Sequence, residues 1–170
     1  MTDAIRTAIE GASAYLAEHP DEAGYTDSLA TARVVDALRI RVDGPDGESL
    51  ETDMPGAVGG GGAAPSPGWF LRASVAACVT SLAVMRAAQL GIERFTCEVE
   101  VDSESDDRGI LGLDADVPAG PLSTRIALRI TAAETDRERL REVADWAVAH
   151  CPVSDAVRRA VPLTIEVAVE

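Results

Sequence analysis

The sequence predicts an α+β fold built on a largely antiparallel sheet. Segments with a helical apolar period and segments of strict alternation come in the order helix, hairpin, long helix, two strands, two helices, strand. Neighbouring strands follow one another and the helices are grouped, which is not the strand–helix–strand alternation of a parallel sheet. No internal repeat and no sustained heptad is present.

Residues 3–18 have Ile5, Ile9, Ala12 and Leu16 on one helical face, with Thr2 or Asp3 as N-cap. HPDEAGYTDS (19–28) ends that helix and serves as a linker, so residues 1–28 form a helical extension and 29–170 the main domain. From Val34 to Val42 the apolar side chains Val34, Leu38, Ile40 and Val42 alternate with Arg33, Arg39 and Arg41, a half-buried strand with Asp36 as an anomaly. GPDG joins it to a short strand at 48–52. MPGAVGGGGAAPSPG reads as a flexible loop. Ser66 as N-cap and Pro67 as first residue start a long helix that Gly91 stops, with Leu71, Val75, Cys78, Leu82 and Met85 as its apolar stripe. Its many alanines predict a central helix buried on several sides.

Phe95, Cys97, Val99 and Val101 alternate with Thr96, Glu98 and Glu100 in the next strand. After an acidic loop, Ile126, Leu128 and Ile130 alternate with Arg125 and Arg129, which are expected to pair with Glu98 and Glu100. A helix over 135–149, a short helix opened by Pro152, and a last strand with Leu163, Ile165, Val167 and Val169 complete the chain.

Composition removes several function classes. The net charge of −14 repels nucleic acid and anionic membranes, and every basic residue is Arg. The N-terminus lacks the apolar core of a signal peptide, and Arg72 and Arg86 interrupt the longest apolar run, so a soluble cytoplasmic protein is expected. The glycines at 59–62 lack the Lys of a Walker loop and the preceding strand of a dinucleotide fingerprint. Asp102, Glu104 and Asp106 have the opening spacing of a calcium loop, but Asp107 and Leu113 stand where Gly and Glu are needed. His19 and His150 have no ligand spacing, so neither a metal nor a cofactor is expected.

Three cysteines are too few for a disulfide framework. Cys97 lies on the apolar parity of its strand and is expected in the core. Cys78, mid-helix, alone invites the same reading. Cys151 differs: Pro152 after it makes Cys151 an N-cap, where free N–H groups favour a thiolate. Spacing alone leaves a redox pair and two small hydrophobes both open.

The segments GGGGAAPSPGWFLRASVAACVTSL and HCPVSDAVRRAVPLTIEV together resemble the OsmC/Ohr family of osmotically inducible and organic-hydroperoxide-resistance proteins. The likeness rests on a Gly-rich loop, a Pro67-started helix with Cys78 eleven residues on, and Cys151–Pro152–Val153, and element order agrees over about residues 30–170. It implies an intertwined homodimer with sheets wrapped around two central helices. It also implies a thiol peroxidase of organic hydroperoxides, with Cys78 attacking the peroxide, Cys151 resolving the sulfenic acid and a dithiol reducing the disulfide. An Arg from the hairpin region would support the thiolate: Arg39 by approximate alignment, with Arg33 and Arg41 as alternatives. One position departs from the pattern. The family peroxidases carry a Glu after the helix-starting Pro to orient that Arg, and here Gly68 and then Trp69 follow. A second reading is therefore a non-catalytic dimer that holds a small apolar ligand at its interface. A third, a partner-binding protein, rests only on the N-terminal helix.

Overall fold

The computed structural model describes residues 2–169. Helix α1 (Thr2–Glu18) starts slightly earlier than predicted, with Thr2 and Asp3 inside it. A 3-10 turn at Pro20–Glu22 and an exposed extended segment lead to β1 (Thr31–Asp36), β2 (Arg39–Asp43) and β3 (Ser49–Thr52), an antiparallel sheet in that order. The single strand expected over 34–42 is thus two. The chain reverses at Ala37–Leu38, where Ala37 takes φ 47°, and Val34 pairs with Ile40. Ala32 and Val34 land opposite Val42 and Ile40, and a register shift between Val34 and Asp36 sets Asp36 opposite Arg39, so the alternation of the sequence carries across the turn and conceals it. The β2–β3 hairpin stands as predicted, with Val42 opposite Leu50.

The sheet's parity puts Ala32, Val34, Ile40, Val42 and Leu50 on one face and Arg33, Arg39, Arg41 and Glu51 on the other. Among the described residues, no element packs extensively on that apolar face, and Val34 is 68% exposed.

Helix α2 (Pro67–Gln89) has Ser66 as N-cap, its hydroxyl accepting from the Trp69 N–H, and ends where Gly91 turns at φ 67°. The Ile92 N–H then reaches back to the Ala87 carbonyl, which satisfies an otherwise orphaned helix-end acceptor. Strands β4 (Thr96–Glu104) and β5 (Ser123–Thr131) form a second antiparallel pair. A one-turn helix α3 (Asp107–Ile110), not foreseen in the acidic loop, lies between them. The register sets Arg129 opposite Glu98 and Arg125 opposite Asp102, and these are the ion pairs. Glu100 faces Ala127 instead, which corrects one expected partner. Helix α4 (Arg137–Ala149), capped by Asp136, and α5 (Pro152–Arg158) follow.

α2 packs against β4, α4, α1 and α5. The buried stripe is Val75, Val79, Ala83 and Ala87, one step around from the predicted one, so Cys78 and Leu82 flank the core rather than centre it. Val79 and Val143 are sealed from solvent, each contributing about 1.5–3 kcal/mol by burial. The opposite side of α2 stays open: Ser74, Ala77, Ser81 and Val84 are exposed, against the expectation of burial on several sides. By length and composition α2 is apolar enough to cross a membrane, so Arg72 and Arg86 do not interrupt it as expected.

The last predicted strand does not form. Leu163, Ile165, Val167 and Val169 are 75–90% exposed, and among the described residues no strand pairs with them.

The Gly-rich loop is pinned rather than loose. Buried Asp53 accepts hydrogen bonds from the N–H groups of Met54, Gly61 and Ala63 at 2.7, 3.3 and 2.9 Å, and its own N–H donates to the Pro65 carbonyl. Gly60 passes so near Met54 that a Cβ there would lie 1.8 Å from its carbonyl oxygen. The Ala63 N–H above all, then those of Met54 and Gly61 and the Arg39 guanidinium, hold the Asp53 carboxyl below the usual range against the opposing effect of burial.

A depressed folded-state pKa means stabilisation that is complete above the unfolded carboxylate value of about 3.9 and lost as pH falls through the folded value. Asp53→Asn should therefore lower the melting temperature at neutral pH, and the gap to wild type should close below about pH 4. Thermal melts across pH 3–8 check this; a gap independent of pH would overturn it.

Candidate functional site

The packing of α4 on α2 brings together the two cysteines singled out in the sequence. Cys151 follows α4 by two residues and is the N-cap of α5, with no exposed surface. Its Sγ accepts from the Ser154 N–H at 3.4 Å, and its carbonyl accepts from the Asp155 N–H at 2.9 Å. The Ser154 hydroxyl lies within hydrogen-bond distance of the carbonyls of Val148 and Cys151, at 3.3 and 3.2 Å, and can give its one proton to either, which ties it to this cap. Cys78 lies mid-α2, half-buried, and packs against the buried cluster that contains Cys151.

The two thiols ionise differently for a structural reason. Burial pushes the Cys78 thiol up, and its hydrogen bond to Cys151 pushes it further, with only the Val153 N–H opposing. Burial also acts on Cys151, but the Ser154 N–H, the Cys78 thiol, the Ser154 side chain and the Val153 N–H outweigh it and bring Cys151 below its ordinary value. Within one chain, Cys151 is the sulfur better able to carry charge, and among the described residues no guanidinium is a main influence on either sulfur.

Arg39, the expected cation, is elsewhere. Its Nε and Nη2 donate to Glu51 Oε2 at 2.9 and 2.5 Å on the charged face of the β1–β3 sheet. Arg33 and Arg41 both pair with Asp43. Gly68 lies in the first turn of α2, and Trp69 beside it is 48% exposed and edge-on to Phe70. Cys97, opposite Ile130, packs against the core with its thiol pushed up by burial. Among the described residues, no group of three His, Cys, Asp or Glu side chains is placed to hold a metal ion.

Sequence reading missed Ser154, Glu51 and Asp53. Ser154 was within reach, because an N-cap side chain accepts from the third helical N–H, and that residue is three after Cys151. Glu51 and Asp53 need the β2–β3 register and the loop path, which the sequence does not carry.

A family model described as OsmC-like protein matches residues 59–166. No curated protein sequence matches the chain. Among solved structures, this chain is similar to an organic hydroperoxide resistance protein OsmC from Legionella pneumophila, at 22% identity and TM-score 0.57 over 79% of this chain and 91% of that one. It is also similar to an OsmC-like protein from Mycoplasma pneumoniae, at 14% identity and TM-score 0.67 over 81% and 91%. The organic hydroperoxide resistance protein OhrB of Bacillus subtilis gives 24% identity and TM-score 0.51 over 79% and 93%. At these identities the likeness is one of fold.

Cys97→Ser should cost about 1–3 kcal/mol by burying a hydroxyl on an apolar face, yet leave the Cys78–Cys151 contact and its oxidation to a disulfide unchanged. Peptide mapping after mild oxidation checks this; loss of the disulfide in that variant would show that Cys97 belongs to the reacting pair.

Proposed function

The chain belongs to the OsmC-like protein family, and from that premise we propose that it is a cytoplasmic thiol peroxidase reducing organic hydroperoxides with Cys78 and Cys151. The observation that carries this reading is the packing of Cys78 against the buried cluster that contains Cys151, a helix N-cap, so that two thiols of unequal acidity influence each other. The names of similar structures, organic hydroperoxide resistance proteins, support the substrate class.

In the proposed cycle the Cys78 thiolate attacks the hydroperoxide, ROOH. An S–O bond forms, the O–O bond breaks, and the alkoxide leaves as ROH after taking a proton, with Cys78 oxidised to sulfenic acid. Cys151, as thiolate, attacks that sulfur; an S–S bond forms and hydroxide departs as water. A dithiol donor then reduces the disulfide by exchange and is itself oxidised. Burial disfavours the first thiolate, so a cation is required, and in this reading Arg39 supplies it from a second copy of the chain.

Cys78→Ser should abolish dithiol-dependent reduction of cumene hydroperoxide. Cys151→Ser should still permit one oxidation, trapped as sulfenic or sulfinic acid on Cys78 and visible by intact-protein mass spectrometry. Wild-type thiols that react with the hydroperoxide no faster than free cysteine would overturn the enzyme reading. A ligand-binding dimer would then take its place, a reading favoured by Gly68 in place of a carboxylate and by the exposed Trp69.

The second copy has physical support of its own. Val84 and Trp69 on α2, Val34 on the β1–β3 sheet and Leu163 to Val169 leave more apolar surface open than a monomer ordinarily shows. Light scattering at micromolar concentration should give the mass of a dimer. Deleting residues 162–170 should shift the protein toward monomer, and a monomeric wild-type mass would overturn the arrangement.

A further inference from the structure

We propose that the cleft at the start of α2 binds a small carboxylate carried on an apolar body, with Arg72 as its recognition cation. Four arginines of the described chain are partly buried: Arg6, Arg41, Arg72 and Arg86. Arg6, Arg41 and Arg86 each have a carboxylate partner, in Asp3, Asp43 and Glu142. Arg72 has only a neutral one, the Ser103 hydroxyl, which its Nη1 approaches at 3.2 Å. In a chain with 29 acidic residues and a net charge of −14, a partly buried guanidinium left without a carboxylate is an exception. Ion pairing is the ordinary way to offset the cost of desolvating such a group.

Arg72 lines a cleft of about 320 Å³ whose other walls include Met54, Leu71, Ile110 and Pro121. That volume is at the lower end for small-molecule sites, and beside the apolar walls the cleft carries the polar side chains of Ser66, Ser105, Asp106 and Asp107. Asp106, also at the cleft, is held by Arg108 and caps α3, so its charge is already compensated. Asp107 stands exposed at the cleft and sets like charge against a dianion such as phosphate, favouring a single carboxylate.

Gly68 keeps the site open. A Cβ at that position would lie 3.8 Å from Arg72 Nη1, and a Glu there would stand four residues before the Arg, the spacing at which the pair meets on a helix. Such a chain would neutralise Arg72 internally. With glycine, the bidentate edge that a guanidinium offers to a carboxylate is left for a ligand. The cleft lies about two helical turns before Cys78 and needs neither thiol, so this inference does not rest on the peroxidase reading.

The test is calorimetry of the full chain with octanoate, octanamide and inorganic phosphate. Octanoate should bind saturably at one site per chain, with octanamide and phosphate each weaker by roughly tenfold or more. Arg72→Gln and Gly68→Glu should each weaken octanoate by a similar factor, Arg72→Lys by less, and Cys78→Ser not at all. Gly68→Glu places an acid in the first helical turn, a stabilising position, so it keeps the test valid should Arg72→Gln fail to fold. Octanamide binding as tightly as octanoate, octanoate binding unaffected by Gly68→Glu, or no saturable heat with octanoate would each overturn the proposal.

Discussion

The contact between α2 and α4 is the constraint on which the thiol pair depends. Val75, Val79, Ala83 and Ala87 of α2 share one buried cluster with Val143 and Ala147 of α4, and Cys151 belongs to it. Cys78 precedes fully buried Val79, and Cys151 lies just beyond the end of α4. Fixing this pair of helices therefore fixes one sulfur against the other. A slip of α4 by one turn would move Cys151 by about 5.4 Å, far enough to break the contact. Small residues at 83, 87 and 147 set the approach, since a larger side chain at any of them would hold the helices apart.

The difference between the two sulfurs follows from where each lies along its helix. In the middle of α2 the backbone N–H groups around Cys78 are spent on the helix itself, and burial acts on the thiol with little opposition. At the start of α5 the first N–H groups have no internal partner, and the Cys151 sulfur takes up that of Ser154. The same backbone chemistry thus gives two thiols of unequal acidity. The Ser154 hydroxyl, within reach of the Val148 and Cys151 carbonyls, stays beside the acceptor and also favours its charged form.

Much of this was legible in the sequence. The N-cap role of Cys151 follows from Pro152, the limits of α2 from Ser66, Pro67 and Gly91, and β4 and β5 from strict alternation. What escaped had physical causes. The Ala37–Leu38 reversal preserves parity, so no break in alternation marks it. The stripe of α2 was placed one step off because alanines at 83 and 87 carry little hydrophobic signal yet mark the closest approach. The loop at 54–65 read as loose from its glycines, whereas Asp53 gathers its N–H groups. Residues 163–169 have the pattern of a strand, but a pattern supplies no partner edge, and among the described residues no strand pairs with them.

The uncovered surfaces and the uncharged surroundings of Cys78 are two needs left unmet within one chain. Among the described residues, no element packs extensively on the apolar face of the β1–β3 sheet, and the side of α2 that carries Ala77 and Val84 is open to solvent. The arginines best suited to support a thiolate lie on the opposite face of that sheet, away from the sulfurs. A second copy that laid the apolar face on α2 would cover both surfaces, whereas Arg39, on the other face, would have to reach a sulfur through a separate contact of the proposed dimer. Arg39 would arrive already oriented, because Glu51 holds its Nε and Nη2 and leaves Nη1 uncommitted. A guanidinium can give one edge to a carboxylate and another to a sulfur, having five N–H donors in a fixed plane. The carboxylate that the start of α2 lacks at Gly68 is thus not indispensable to the proposed chemistry, because one stands on the strand next to the arginine.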